Sequence, residues 1–455
     1  MTMKLCYSLL TTSVLALLAA CNADQPLVVK DPDVAQPGTL VGAQALPTLS
    51  AGSLSDFAVA YAGAADQNNN AHEGVINFGA IFTDEFLDTE TFPTRNPLNQ
   101  RSAVPGNTSL AGVFQNLGSA HNDARRALAQ YAIYGPMMPQ RAEQYSLDAY
   151  IYILVAEHWC SGEPFSSVDV ATGKVTNSQF LTTAQMLDTA LAEFQLAKQV
   201  VASDTVSGDA AANAQMIGLA TVGEARALLD LGQVAAAAET AATVPATFSS
   251  YQILESVNSL RQTSGLYFYT ILFAGFSVGN FKNVTGLPFY DAHDPRVPAD
   301  STGIAGNDGT PGYITQEKYP VASAPVTLAD SVEAQLIIAE GDIFAGDYGA
   351  GRTILESLRS TKPGITLPLT DLTGGTKEAQ ILQLLTERAF WLYLTGHRLG
   401  DWRRVVRPTG LGGAYAFPIF DVYPTGPNIS NTLEFPTPLL TDPNPNYKAC
   451  DPTIP

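Results

Sequence analysis

Arginines and carboxylates crowd into one stretch of the chain, "TERAFWLYLTGHRLGDWRRVV" (386–406). It holds Arg388, Arg398, Arg403 and Arg404, with Arg407 just past its end, out of 24 Lys+Arg in total. Glu387 and Asp401 lie among them. Such a set could catalyse, bind an anion, or lock the fold from within. Glu387 and Arg388 fall on a helix predicted to start near Thr376, whose apolar face is Ile381, Leu384, Leu385, Phe390, Leu392 and Leu394. Gly396 interrupts it, as glycine does at a bend or close contact. Arg398, Asp401 and Arg404 follow at i,i+3 spacing and share a helix face. Planar guanidiniums fit carboxylates and the open carbonyls of helix ends. The pattern predicts a structural clamp made of Glu387, Arg388, Arg398, Asp401 and Arg404.

Other chemistries find little support. The chain has no Gly-x-Ser-x-Gly, no His-Glu-x-x-His and no phosphate-binding Gly-Lys-Ser/Thr. "HEGVI" (72–76) lacks the second histidine of a zinc helix. The five histidines are scattered and no Cys-x-x-Cys occurs, so neither a metal nor another cofactor is expected. Carboxylates are too plentiful to single out a glycosidase pair, and the expectation is a protein that is not an enzyme. A formal net charge of −19 repels phosphate backbones and argues against nucleic-acid binding.

The elements that must position these residues begin with a leader. Lys4 precedes the apolar run "LLTTSVLALLAA" (9–20), too short to span a bilayer and suited to a signal peptide. It ends in "LAAC", the pattern of a bacterial lipobox, which makes Cys21 the expected lipidation site and the acyl chains the membrane anchor. Residues 1–20 are read as the leader, 21–50 as a Pro- and Asp-rich tether, and 51–455 as one domain. Cys160 and Cys450 remain, and an oxidising exported compartment predicts that they pair.

Helical periodicity runs through 110–132, 137–159, 183–201 and 213–232. "ARALLDLGQVAAAAETA" has the grammar of a tetratricopeptide turn, echoed by "AEGDIFAGDYGAGRTIL" (339–355). The two bends, Gly232 and Gly346, are too far apart for a simple array. The fold class is therefore mainly α, a tetratricopeptide-like helical-repeat body with a loop-rich insertion over about 248–329 and an irregular C-terminal region.

Several segments together resemble the SusD/RagB family of nutrient-uptake lipoproteins. They are the lipobox, "QRAEQYSLDAYIYILVAEHWCSGEPF" (140–165), "YDAHDPRV" (290–297), "KYP" (318–320) ahead of "SVEAQLIIAEGDIFAGDYGAGRTILESLR", "ERAFWLYLTGHRLGDWRRV" and "FPTPLLTDPNPNY" (435–447). Departures exist: Thr395 stands where the family usually has Glu, and Trp402 where leucine is common. The resemblance implies a surface-exposed outer-membrane lipoprotein that captures a nutrient, typically an oligosaccharide. It implies a SusC-like, TonB-dependent outer-membrane barrel as partner. The residues alone leave open a binder of peptides, or a lipid-anchored scaffold for protein partners. Sugar binding uses aromatic faces with planar polar groups. The loop candidates are Tyr290, Phe289, Tyr313 and Trp159, with Asp84 and the Asn68–His72 stretch as polar partners.

Overall fold

The computed structural model describes residues 40–66, 73–135, 138–159, 165–168, 174–204, 208–280, 287–406 and Phe435. Cys21, Cys160, Cys450, Arg407, the leader and Asn68–His72 lie outside them. From Val41 onward the chain forms a single compact unit. Its first long helix, α1 (Leu46–Ala62), starts inside the stretch read as tether. Leu46 and Leu49 are buried, and Pro47 in the first turn has no N–H to lose. These local preferences outweigh the tether-like composition upstream.

The body continues with α2 (Gly74–Phe82), α3 (Thr108–Tyr134), α4 (Met138–His158), α5 (Thr183–Ala202), α6 (Ala210–Asp230) and α7 (Val234–Ala241). After the insertion come α8 (Ser331–Ala345), α9 (Tyr348–Ser360), α10 (Lys377–Trp391) and α11 (Arg398–Val406). From α3 to α9, each helix packs on the next, the stacking of tetratricopeptide-like pairs. Side-chain caps set the starts: Asn107 on α3, the Thr182–Gln185 capping box on α5, Asp330 on α8 and Thr376 on α10. Gly232 and Gly346, the two bends, both have positive φ. Among the described residues no helix is long and apolar enough to cross a membrane.

The strands are short: β1 (Phe86–Asp88), β2 (Ser250–Ile253), β3 (Phe276–Val278), β4 (Ala299–Ser301), β5 (Ile314–Gln316) and β6 (Val326–Asp330). β2 pairs antiparallel with β6, which brings the two ends of the insertion together. α7 and α8 therefore stack as neighbours although the insertion separates them in sequence. β3 pairs with β1 and β4 with β5, so the insertion is stitched to the body through β1.

Candidate functional site

The arginine-rich stretch folds inward. Glu387 accepts from Arg296 Nη1 at 2.7 Å and from Arg359 Nε at 3.0 Å. Arg296 also grips Asp294 with two parallel contacts, 2.9 and 2.8 Å, so the Asp-Pro-Arg element of the insertion is tied to α10. Arg388 and Arg404 converge on Asp401, each at 2.9 Å. Arg404 reaches Glu340 on α8 at 2.9 Å. Burial alone would raise the Asp401 carboxyl, but the Arg388 and Arg404 guanidiniums outweigh it and hold it below the ordinary carboxylate range. Arg398 takes a different partner from the one its spacing suggests. It donates to the Thr83 carbonyl at 3.0 Å and lies over the Phe289 and Trp402 rings. Arg403 donates to the carbonyls of Ala156 and Trp159 at the end of α4, at 2.7 and 2.8 Å.

α10 ends at Trp391, ahead of Gly396, and the turn to α11 runs deep in the interior. Buried carbonyls need partners, and distant segments supply them. Tyr61 donates to Thr395 O at 2.9 Å, Tyr319 to Leu394 O at 3.0 Å and Lys318 to Tyr393 O at 2.5 Å. Leu394 N donates to Glu85 Oε1 at 3.1 Å. Burial raises the Glu85 carboxyl to about 7, despite Arg398 nearby, and lowers the Lys318 ammonium to about 8.

Most of the aromatics expected to meet a ligand are packed away instead. Phe289 is buried against Phe390 and Tyr393, with ring centroids 5.2 and 5.1 Å apart. Tyr313 is buried and donates to the carbonyls of Thr270 and Phe276, bracing the insertion from inside. Trp159 is buried between Phe114 and Phe435. Asp84 is buried in a left-handed turn and pairs with Arg101 at 2.5 Å. Of the set only Tyr290 reaches the surface, half-buried beside His293. Phe289 and Tyr313 sit in loops that close over the core and Trp159 just past α4, where a large ring gains more from burial than from solvent.

A different face leaves an aromatic ring at the surface, around Thr89 just past β1. Thr89 N donates to Gly275 O at 2.8 Å, and its hydroxyl reaches Ala274 O and Gly275 O at 3.0 and 2.9 Å. Asp308 N donates back to Thr89 O at 2.8 Å, and Asn307 N to Ala274 O at 3.0 Å. Thr89 thus knots the loops of 89–95, 272–275 and 304–310. Gly306 presses on it so closely that a Cβ there would lie 2.5 Å from the Thr89 Cβ. The segment before Ala274 is a π-helical turn, Phe268–Leu272, and Ala274 has positive φ. Irregularities of this kind concentrate at functional sites.

Phe92 stands on this knot, 49 % exposed. Arg95 lies over its ring at 4.5 Å and is itself held by Glu73 and Glu90, at 2.8 and 2.6 Å, and by the Tyr269 ring at 4.8 Å. The guanidinium fixes the ring, which stays solvent-accessible. Leu272 and Ile304 are exposed on the same knotted loops, as are the polar Thr91, Asn307, Asp308 and Thr310. Asp88 lies just behind. Burial, then the Glu90 charge, raise its carboxyl to about 7, and its Oδ2 has no hydrogen-bond partner. Among the described residues, Phe92 and Tyr134 are the aromatic side chains left exposed. An anchored ring rimmed by hydroxyl, amide and carboxyl groups suits the C–H face and hydroxyls of a sugar. Among the described residues no group of His, Cys, Asp or Glu converges as metal ligands.

Neither a protein-family model nor a curated protein sequence matches the chain. Solved structures do. A SusD/RagB family protein from Bacteroides thetaiotaomicron superposes with a TM-score of 0.61 at 11% identity, over 86% of this chain and 93% of that one. The fold is SusD-like. A SusD superfamily protein from Bacteroides vulgatus gives 0.56 at 16% identity, over 88% and 96%. Surface glycan-binding protein A from B. thetaiotaomicron, solved in complex with laminarihexaose, gives 0.58 at 11% identity, over 88% and 97%. At these identities the likeness is one of fold, and the SusD-like frame accounts for the stacked helices.

Proposed function

We propose that the protein is a surface-exposed outer-membrane lipoprotein, anchored through Cys21, that captures an oligosaccharide on the Phe92 face. It passes the sugar to a TonB-dependent, SusC-like barrel in the outer membrane, and it binds without catalysing. The observation that carries this reading is the SusD-like fold together with the exposed Phe92 ring held over Arg95. A glycan-bound protein of the same fold supports the ligand class, and the lipobox supports the anchor. Peptide remains the competing ligand. Exposed Leu254, Val257 and Leu260 after β2 favour a second reading, a scaffold for protein partners.

The test is calorimetric titration of the purified chain with a panel of oligosaccharides and peptides, beside gentle detergent extraction of the native lipoprotein. Saturable glycan binding and a stoichiometric β-barrel subunit in the extract are expected. Turnover of a glycan or peptide would overturn the binding-only reading. Silence toward every glycan, with only soluble helical partners in the extract, would put the scaffold reading first.

A further inference from the structure

Charge is unevenly spread around the Phe92 ring. Arg95, which lies over it, is shared between Glu73 at 2.8 Å and Glu90 at 2.6 Å. Both carboxylates are buried, 2 % and 3 % exposed, and each keeps one oxygen, Glu73 Oε2 and Glu90 Oε1, without a hydrogen-bond partner. Glu90 Oε1 is aimed at the knot of loops, where only a glycine leaves it room: a Cβ on Gly275 would collide with it. Asp88 brings a further carboxyl. Its Oδ1 accepts from Glu90 N at 3.2 Å, and its Oδ2 has no partner. Asp308, whose amide bonds Thr89 O, is exposed. Its carboxylate is fixed there by Thr310, which donates from N at 2.8 Å and from Oγ1 at 2.7 Å.

Glu73, Asp88, Glu90 and Asp308 thus surround a single guanidinium. Burial raises the carboxyls of Glu73, Asp88 and Glu90, and in each case the cation that opposes the rise is Arg95. One positive charge does not balance this set, so among the described residues the face keeps a surplus of negative charge. Charges under a thin protein cover act more strongly than charges in open water. The carboxyls do not converge as metal ligands. The missing cation is therefore one that an extended ligand carries.

We infer that the sugar held on the Phe92 face carries a free amino group, an unacetylated hexosamine whose ring lies on Phe92 and whose ammonium meets Asp308. The inference rests on the glycan-capture reading of that face proposed above and adds the chemistry of the sugar. An ammonium group donates three hydrogen bonds and accepts none, which complements a rim rich in carboxylate oxygens. Hydrogen bonds assisted by charge are roughly twice as strong as neutral ones. Asp308 is the exposed group that the ammonium touches, and Asp88, Glu90 and Glu73 supply the field behind it. The same field repels uronic acids and sulfated sugars.

The experiment is calorimetric titration of the purified chain with oligomers of glucosamine, N-acetylglucosamine, glucose and galacturonic acid, all of one length, and with oligolysine as a control for bare charge. The glucosamine oligomer should bind about tenfold more tightly than its acetylated counterpart and lose that advantage in concentrated salt. The galacturonic acid oligomer should not bind. Asp308→Asn keeps an oxygen for Thr310 N and should weaken the glucosamine oligomer about fivefold while leaving the neutral oligomers unchanged. Asp88→Asn, equally isosteric, should act in the same direction. Neutral or acidic oligomers that bind as tightly as the amine overturn the inference and leave glycan capture standing. Oligolysine that binds as well as the glucosamine oligomer, and still binds after Phe92→Ala, reduces the effect to bare charge and overturns it too. Silence toward every sugar removes both readings.

Discussion

Phe92 shows how a single apolar side chain is held at the surface. Its exposure would be costly in a mobile loop, but Arg95 holds the ring and is itself neutralised by Glu73 and Glu90. Phe92→Ala should weaken binding of the cognate glycan about tenfold with little change in stability, read by calorimetry and thermal unfolding. Arg95→Ala should do both, losing about 3–5 kcal/mol of stability because two buried carboxylates are left unpaired. Nothing in "TETFPTRNP" separates Phe92 from the aromatics singled out in the sequence. Arg95, which holds it, lies three positions on, but the groups that fix Arg95, Glu73 and Tyr269, lie far away along the chain, so its presentation is a tertiary fact. Glu255 makes the converse case. Burial, with no compensating charge, raises its carboxyl to about 8. Its folded value exceeds its unfolded one, so stability falls as pH rises from about 4.5 to 8. Glu255→Gln should flatten that slope and add about 2 kcal/mol at pH 9, measured by urea unfolding across pH.

At the scale of elements, the stretch 386–406 behaves as a junction between α8, α9, α10 and the insertion. Glu387 is shared by Arg296 and Arg359, and Asp401 by Arg388 and Arg404. Glu387→Gln should cost about 3–5 kcal/mol in urea unfolding while leaving glycan affinity in the surviving folded fraction unchanged. Asp401 contributes on the acid side. Its folded carboxyl titrates below the unfolded one, so its stabilisation is complete above about pH 4 and drains as pH falls further. Asp401→Asn should be less stable at neutral pH and lose less on acidification. The helices were legible because their apolar periodicity and caps are local: Thr182, Asp330 and Thr376 all announce helix starts. The i,i+3 spacing also made the Asp401–Arg404 contact readable. The partner of Arg398 was not, because Thr83 is brought to it by a different helix. The insertion showed only as aromatics and glycines, since its strands are three to five residues long and acquire meaning only through pairing with β1 and with each other.

For the whole molecule, the turn after α10 has a consequence for how the protein comes into being. The hydroxyl of Tyr61 closes on the carbonyl of Thr395 across 334 positions of sequence, and the Leu394 amide closes on Glu85 across 309. Contacts so distant demand the closure of very long loops before they return any energy, which makes folding slow. Synthesis supplies Tyr61, Glu85 and Lys318 long before residues 392–397 exist. The N-terminal helices must therefore wait, incompletely bonded, for the end of the chain. A chain released without residues 392–406 should remain protease-sensitive, whereas one carrying them becomes resistant in a single late step. Maturation of this junction is thus timed by residues 392–406, made long after the segments they close on.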